Sequence, residues 1–284
     1  MSKSKLNKLK NILQEMGSIL VAYSGGVDST FLLKVAKDTI GDNVLAVTAK
    51  SETYPKREYE QAKKIAQKLK TKHLIINTKE LSNSRFLANP VNRCYYCKKE
   101  LFTKLKQIAR EKDINYIVDG TNCDDLKDFR PGMNAIKELG VRSPLREAGL
   151  TKKEIRLFSR KMHLSTWDKP VFACLASRFP YGDKITLPKL KMINEAEEYL
   201  HSLGIKQVRV RHHACPNQGR GNNIARIARI EVSPEDINCL TSINSRKKIV
   251  KKFNEIGYRY VSLDLQGYRT GSMNPITERQ EAEK

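Results

Sequence analysis

The chain has 284 residues, 39% hydrophobic and 30% charged, with 53 Lys and Arg against 31 Asp and Glu for a net charge of +22. That length accommodates one large or two ordinary domains, and no apolar run approaches the roughly 20 residues of a membrane span. The charge points to anionic partners such as nucleic acid, nucleotides or multiply charged metabolites, without separating tRNA from a small phosphorylated substrate. The basic opening Met1–Lys10 is followed by no apolar core of a secretory signal, so the expected location is the cytoplasm.

A short basic helix is predicted at about 4–15, then a buried strand at 18–23. The strand stops at Ser24-Gly25-Gly26-Val27-Asp28-Ser29, and Phe31, Leu32, Val35 and Ala36 continue at helical spacing. A strand that ends in a double glycine and restarts as a helix brings backbone N–H groups and a positive helix end to one point, which favours an anion. Ser24 and Ser29 add hydroxyl donors, the glycines allow close approach, and Asp28 is a carboxylate suited to Mg²⁺ beside phosphates.

Further strands are read at 44–50, 73–77 and 116–120, with helices from Pro55 to Leu69 and from Cys94 to Arg110. This alternation implies a parallel sheet with helices on both faces. Ligands of such sheets bind at the carboxyl ends of the strands, so an adenine is expected near Ala49, Lys50, Asp119 and Gly120. Segments 129–132 and 142–144 read as rim loops, and Thr151-Lys-Lys-Glu154 as a capping box opening a helix to about 163. The run 167–182 is too rich in Pro and Gly for a regular element. Beyond it come a helix at 189–202, strands at 206–213 and 225–232, helical material at 234–256 and a last strand at 259–265, an α+β order.

Six cysteines with uneven spacing fit metal or catalytic use better than a disulfide framework. Cys94 and Cys97 form a C-x-x-C at a helix start, where the helix end favours thiolates. They read as a redox pair, half of a zinc site, or two ligands of an iron–sulfur cluster. Cys174 is the natural third member, with Cys123 as its competitor; three thiolates leave one iron open to an outside ligand. Cys215 beside His212 and His213 is a separate candidate metal group, and Cys239 reads as core. Arg209 and Arg211 alternate onto one face of their strand as a fork for phosphate or carboxylate, which Ser177 and Arg178 would complete.

The loop at 24–29 resembles the PP-loop of the ATP pyrophosphatase superfamily, and nearly the whole chain resembles the LarE family of ATP-dependent sulfur transferases. The resemblance rests on that loop together with Asp128-Phe-Arg-Pro-Gly132, Gly140-Val-Arg-Ser-Pro-Leu145, Ala176-Ser-Arg-Phe-Pro-Tyr-Gly182, Val208-Arg-Val-Arg211, Ala228-Arg-Ile-Glu231 and Gly267-Tyr-Arg269. It implies an adenine nucleotide alpha hydrolase-like α/β domain over 1–165, an active-site linker over 166–186, and an α+β domain over 187–284 for substrate binding or oligomerisation. It also implies that ATP with Mg²⁺ on Asp28 adenylates a carboxylate of pyridinium-3,5-dicarboxylic acid mononucleotide, on the way to the nickel-pincer nucleotide. Arg178, Arg209 and Arg211 match the positions that hold the substrate phosphate. In one branch a single cysteine is sacrificed; in another, three cysteines hold a 4Fe–4S cluster whose open iron carries an extra sulfide. Cys94, Cys97 and Cys174 match the second set. A homo-oligomer is expected, and a tRNA thiolase of the same superfamily is the alternative. One departure is the long stretch 214–227, which leaves the register of the second strand and the role of Cys215 open.

Overall fold

The computed structural model describes residues 2–127, 131–215 and 225–273. They fall into two compact units, the first comprising residues 1–86 and 91–172, the second residues 87–90 and 173–284. The short piece Leu87–Pro90 groups with the second because its backbone bonds there. Ile185 N donates to Leu87 O (2.9 Å) and Gly182 N to Asn89 O (2.9 Å), while Asn89 Nδ2 donates to Pro180 O (2.6 Å).

The first unit runs α1 (Ser2–Met16), β1 (Ile19–Ala22), α2 (Val27–Ile40), β2 (Val44–Lys50), α3 (Lys56–Lys68), β3 (Lys72–Asn77), α4 (Ser84–Leu87), α5 (Arg93–Glu111), β4 (Tyr116–Val118), α6 (Gly132–Glu138), α7 (Pro144–Glu147) and α8 (Lys152–Lys161). Its sheet has the order β3-β2-β1-β4, and every pair is parallel. Alternation along β1 and β2 explains the two cores. Ile19, Val21, Val44 and Ala46 join the residues of α1, α2, α3 and α8, while Leu20, Leu45 and Val47 face Phe102 and Leu105 of α5 and Ile136 of α6. The expected α/β sandwich is thus the fold.

Two readings of this region are corrected. The stretch around Arg142 is not a free rim loop: it bridges Val118 in parallel, with Arg142 N on Ile117 O (3.0 Å) and Asp119 N on Arg142 O (3.0 Å). The loosened region also holds α6 and α7, of 7 and 4 residues, too short to display a period. Asp128 to Arg130, part of one family motif, lies outside the described residues. The capping box of α8 forms as expected, with Thr151 Oγ1 accepting from Glu154 N (3.3 Å) and Glu154 Oε2 from Thr151 N (3.0 Å).

The second unit runs α9 (Leu187–Ser202), β5 (Val208–Cys215), β6 (Ala225–Val232), α10 (Ile237–Thr241), α11 (Ile243–Ile256) and β7 (Tyr260–Leu263). β5 and β6 pair antiparallel from Val208↔Val232 to Cys215↔Ala225, and β7 adds in parallel to β6. Val208, Val210, Ala228 and Ile230 face Ala196, Leu200, Ile249 and Phe253 of the two long helices. The single helical stretch expected at 234–256 breaks at Ser242, whose hydroxyl accepts from Ser245 N to cap α11. Cys239 is exposed on α10, not in the core. Residues 216–224, most of the departure noted above, lie outside the described residues. None of the described helices is long and apolar enough to cross a membrane.

Candidate active site

β1 has β2 on one side and β4 on the other, so its carboxyl end is the switch point of the sheet, where open α/β folds bind ligands. Ser24–Ser29 occupies that point. Gly25 has φ +70°, and a Cβ there would lie 2.8 Å from Ala62 Cβ of α3. Glycine is required twice over, by conformation and by space. Gly26 begins α2 without a side-chain cap, leaving the first-turn amides to a ligand. The hydroxyls of Ser24 and Ser29 stand 3.1 Å apart, and Gly26 N points at Ser24 Oγ (3.4 Å). Gly25→Ala is therefore expected to cost roughly 2–3 kcal/mol of stability, which thermal melting measures.

The residues that the sequence points to for a nucleotide sit around this loop. Gly120 packs on the helix start: a Cβ there would meet Ser29 N at 3.0 Å, so β4 and α2 approach only because it has none. Asp119 is buried, and its carboxylate accepts from Ser143 Oγ (2.7 Å) and Thr121 N (3.2 Å), so it fixes the strand end. Ala49 and Lys50 close β2 at the same sheet edge, with Lys50 Nζ 5.3 Å from the centre of the Tyr59 ring. Asp28, on the first turn of α2, is ion-paired to Lys152 of α8 and accepts from Asn122 Nδ2 (3.4 Å). Lys169 reaches the loop from a later segment. Its ammonium donates to Gly25 O (3.2 Å) and Gln61 Oε1 (2.8 Å) and pairs with Glu58 (2.9 Å). Lys152, Lys169, Glu58 and Asn122 escaped the sequence reading; lysines in a chain this basic carry no local signal.

Cys94 and Cys97 lie at the start of α5, outside any disulfide, Cys94 exposed and Cys97 half-buried. Cys97 Sγ is 3.8 Å from Glu80 Oε1, and Gly132 lies beside Cys94, whose Cβ would be 3.7 Å from a side chain there. Cys123 is also in the first unit, with its thiol on the Arg146 carbonyl (3.7 Å). Within either unit, the described residues hold no gathering of three His, Cys, Asp or Glu that would bind a metal.

In the second unit, Cys174 precedes a single 3-10 turn, Leu175–Arg178. Its carbonyl accepts from Ser177 Oγ (2.8 Å) and Arg178 Nη1 (3.1 Å). Arg178 is wholly buried. It meets Glu197 of α9 through Nε–Oε1 (2.7 Å) and Nη2–Oε2 (2.9 Å), and Nη1 also reaches Ala173 O (2.8 Å). Burial alone would raise the Glu197 carboxyl, but Arg178 outweighs it and holds the group below its usual range. Arg211 donates to Ser177 O (2.9 Å) and to Glu231 (2.6 Å), while its buried Nε finds no acceptor. Arg209 lies over the Tyr268 ring (5.2 Å), and burial beside Arg178 pulls its pKa down to about 10. Arg178, Arg209 and Arg211 thus converge near the Cys174 turn, with Glu197 and Glu231 as counter-charges. Arg229 also pairs with Glu231 (2.9 Å) and with Asp264, so the group sets four guanidiniums against three carboxylates.

His212 and His213 do not form a site together, because successive residues of β5 face opposite sides. His212 is buried against Tyr258, with Nδ1 and Oη 3.3 Å apart, and His213 Nε2 accepts from Arg229 (3.3 Å). Burial, with Lys189 and Arg226 nearby, pushes the His212 pKa from 6.5 down to about 4. Between those values the unfolded chain binds more protons, so stability is full above about 6.5 and falls as the pH drops towards 4. Denaturation from pH 7 to pH 4 is expected to lose roughly 2 kcal/mol to this ring, after allowance for solvent screening, and His212→Gln to flatten that loss.

A parallel sheet with a Ser-Gly-Gly-Val-Asp-Ser loop at its switch point defines a PP-loop ATP-using fold, and the family model of Queuosine biosynthesis protein QueC matches residues 18–92. Over the full chain the similarities are more specific. The chain is 44% identical to an uncharacterized protein of Synechocystis sp., across 97% of its own length and 99% of the other. It is 36% identical to the pyridinium-3,5-bisthiocarboxylic acid mononucleotide synthase of Lactiplantibacillus plantarum, covering 92% of this chain and 91% of that one. An uncharacterized protein of Methanocaldococcus jannaschii is 31% identical over 94% and 98% of the two chains. The protein belongs to the family of pyridinium-3,5-bisthiocarboxylic acid mononucleotide synthases, the LarE family, and is an enzyme.

Proposed function

We propose that the protein is an ATP-dependent sulfur transferase that replaces a carboxylate oxygen of pyridinium-3,5-dicarboxylic acid mononucleotide by sulfur, in the biosynthesis of the nickel-pincer nucleotide. The observation that carries this reading is the synthase relative at 36% identity over almost the whole of both chains. In the first step a substrate carboxylate oxygen attacks the α-phosphorus of ATP, and pyrophosphate leaves. The acyl adenylate then has a good leaving group, so a sulfide adds at the acyl carbon and AMP departs, leaving the thiocarboxylic acid.

The residues take the following parts. Ser24, Gly25, Gly26 and Ser29 seat the phosphates through hydroxyls and first-turn amides. Asp28 would hold Mg²⁺ beside the phosphates, and Ala49, Lys50, Asp119 and Gly120 would border the adenine. Arg209, Arg211 and Ser177 receive the substrate phosphate, which supplies the acceptor that Arg211 Nε lacks. We assign Arg178 to shaping the Cys174 turn from behind, since its donors meet Glu197 and the backbone. Cys94, Cys97 and Cys174 would hold a 4Fe–4S cluster; two cysteines one turn apart at a helix start are fitting donors. When bound, that cluster would supply the sulfide.

Anaerobically purified protein is expected to be brown and to carry about four irons per chain. Colourless protein with bound zinc would contradict the cluster. Bulk tRNA is expected neither to stimulate ATP consumption nor to become thiolated; a thiolated tRNA base would overturn the small-nucleotide substrate in favour of a tRNA thiolase.

A further inference from the structure

We propose that Lys169 is a positioning residue of the nucleotide loop: its ammonium sets the plane of the Gly25–Gly26 peptide and so aims the Gly26 amide at the phosphate seat. The inference rests on the reading of Ser24–Ser29 as an ATP loop and adds to it a residue outside any recognised motif.

The C=O and N–H of one trans peptide point in opposite directions. The carbonyl of this peptide belongs to Gly25 and accepts from Lys169 Nζ at 3.2 Å. Its N–H belongs to Gly26 and points the other way, toward Ser24 Oγ at 3.4 Å, where the Ser24 and Ser29 hydroxyls meet. With glycine on both sides, rotation of this peptide meets little steric resistance. The bond on the carbonyl therefore selects the orientation in which the amide faces the ligand.

Lys169 is built to do this. Ordering a lysine side chain costs up to about 2 kcal/mol of rotamer entropy, yet this one is only 12% exposed. Its root is fixed by Arg156, whose guanidinium donates to Trp167 O (2.7 Å) and Lys169 O (2.9 Å). Arg160 lies over the Trp167 ring at 4.9 Å. Its tip is fixed by Glu58 (2.9 Å) and Gln61 (2.8 Å), both on α3, the helix that also limits Gly25 to glycine. Gly25, α3 and the 166–172 segment thus meet at one ammonium, and Cys174 follows two residues beyond that segment.

Three variants test the assignment: Lys169→Met, Lys169→Arg and Glu58→Gln, each assayed for Mg·ATP affinity by calorimetry, for KM and kcat of pyrophosphate release, and for melting temperature. Lys169→Met is expected to weaken Mg·ATP binding and raise the KM for ATP about tenfold, the worth of one charge-assisted hydrogen bond, with a smaller change in kcat. Lys169→Arg, which still donates to the Gly25 carbonyl, is expected to recover most of that loss. Glu58→Gln removes one of the two anchors of the Lys169 tip and is expected to raise the KM for ATP in the same direction but by less than Lys169→Met, about threefold, with a lower melting temperature. A folded Lys169→Met protein with wild-type ATP affinity would reduce Lys169 to a structural ion pair and overturn the proposal. If Lys169→Met does not fold, Lys169→Leu, which also lacks a donor, carries the same test, and an unchanged KM in it overturns the proposal equally. Failure of the wild-type protein to bind Mg·ATP would instead overturn the ATP reading itself, and the positioning role with it.

Discussion

Cys174→Ala is expected to reduce sulfur transfer to background and to remove the cluster, while Mg·ATP binding stays at the wild-type value. The backbone at this position is held independently of the thiol: the Cys174 carbonyl accepts from Ser177 N (3.0 Å), Ser177 Oγ (2.8 Å) and Arg178 Nη1 (3.1 Å). Its φ of −56° and ψ of 154° suit alanine equally well. The substitution therefore removes one sulfur and little else. The ATP loop belongs to the other compact unit. Iron content, sulfur transfer and calorimetric ATP titration on one preparation separate the three effects. Transfer that survives would move the third ligand to Cys123.

Glu197→Ala is expected to destabilise the protein by about 3–5 kcal/mol, because it leaves the Arg178 guanidinium buried without its carboxylate. Both side chains are essentially inaccessible to solvent, and Glu197 Oε1 also accepts from Val210 N (2.9 Å). Urea denaturation of wild type and variant measures this loss. The double replacement Arg178→Met with Glu197→Leu removes both charges together and is expected to recover most of the stability. It is not expected to recover sulfur transfer, because the Arg178 bonds to Ala173 O and Cys174 O are gone and only Ser177 still donates to Cys174 O. A double variant that is both stable and active would show that Arg178 only packs the domain.

The nucleotide half of the site was legible because its signal is local. A strand, two glycines, a carboxylate and a helix follow one another between Ile19 and Ile40, and the same backbone physics that makes the motif readable makes it bind anions. The parallel sheet was legible from hydrophobic runs, each close to the length of the strand it became. Lys152 and Lys169 were not, because each finds its loop partner more than a hundred residues away, at separations of 124 and 144. Nothing near either lysine in the chain distinguishes it from a solvated one.

Glu197 is a different case, since its signal was present. It lies between Ile193 and Leu200 on the buried stripe of α9, and an acid on such a stripe demands a buried cationic partner. Arg178 is that partner. The break of α11 from α10 at Ser242 was a capping signal hidden in a run of polar residues. Cys239 was misplaced for the same reason: on a helix of 5 residues, amphipathic spacing does not determine which face is covered.

The central claim is that ATP is cleaved to activate a carboxylate that then takes sulfur. The most direct measurement is mass spectrometry of the products formed by the anaerobic protein with Mg·ATP, sulfide and pyridinium-3,5-dicarboxylic acid mononucleotide. The account predicts a mononucleotide in which sulfur has replaced a carboxylate oxygen, with AMP and pyrophosphate released in equal amounts to the sulfur inserted. An unchanged mononucleotide, or ADP and phosphate in place of AMP and pyrophosphate, would contradict it.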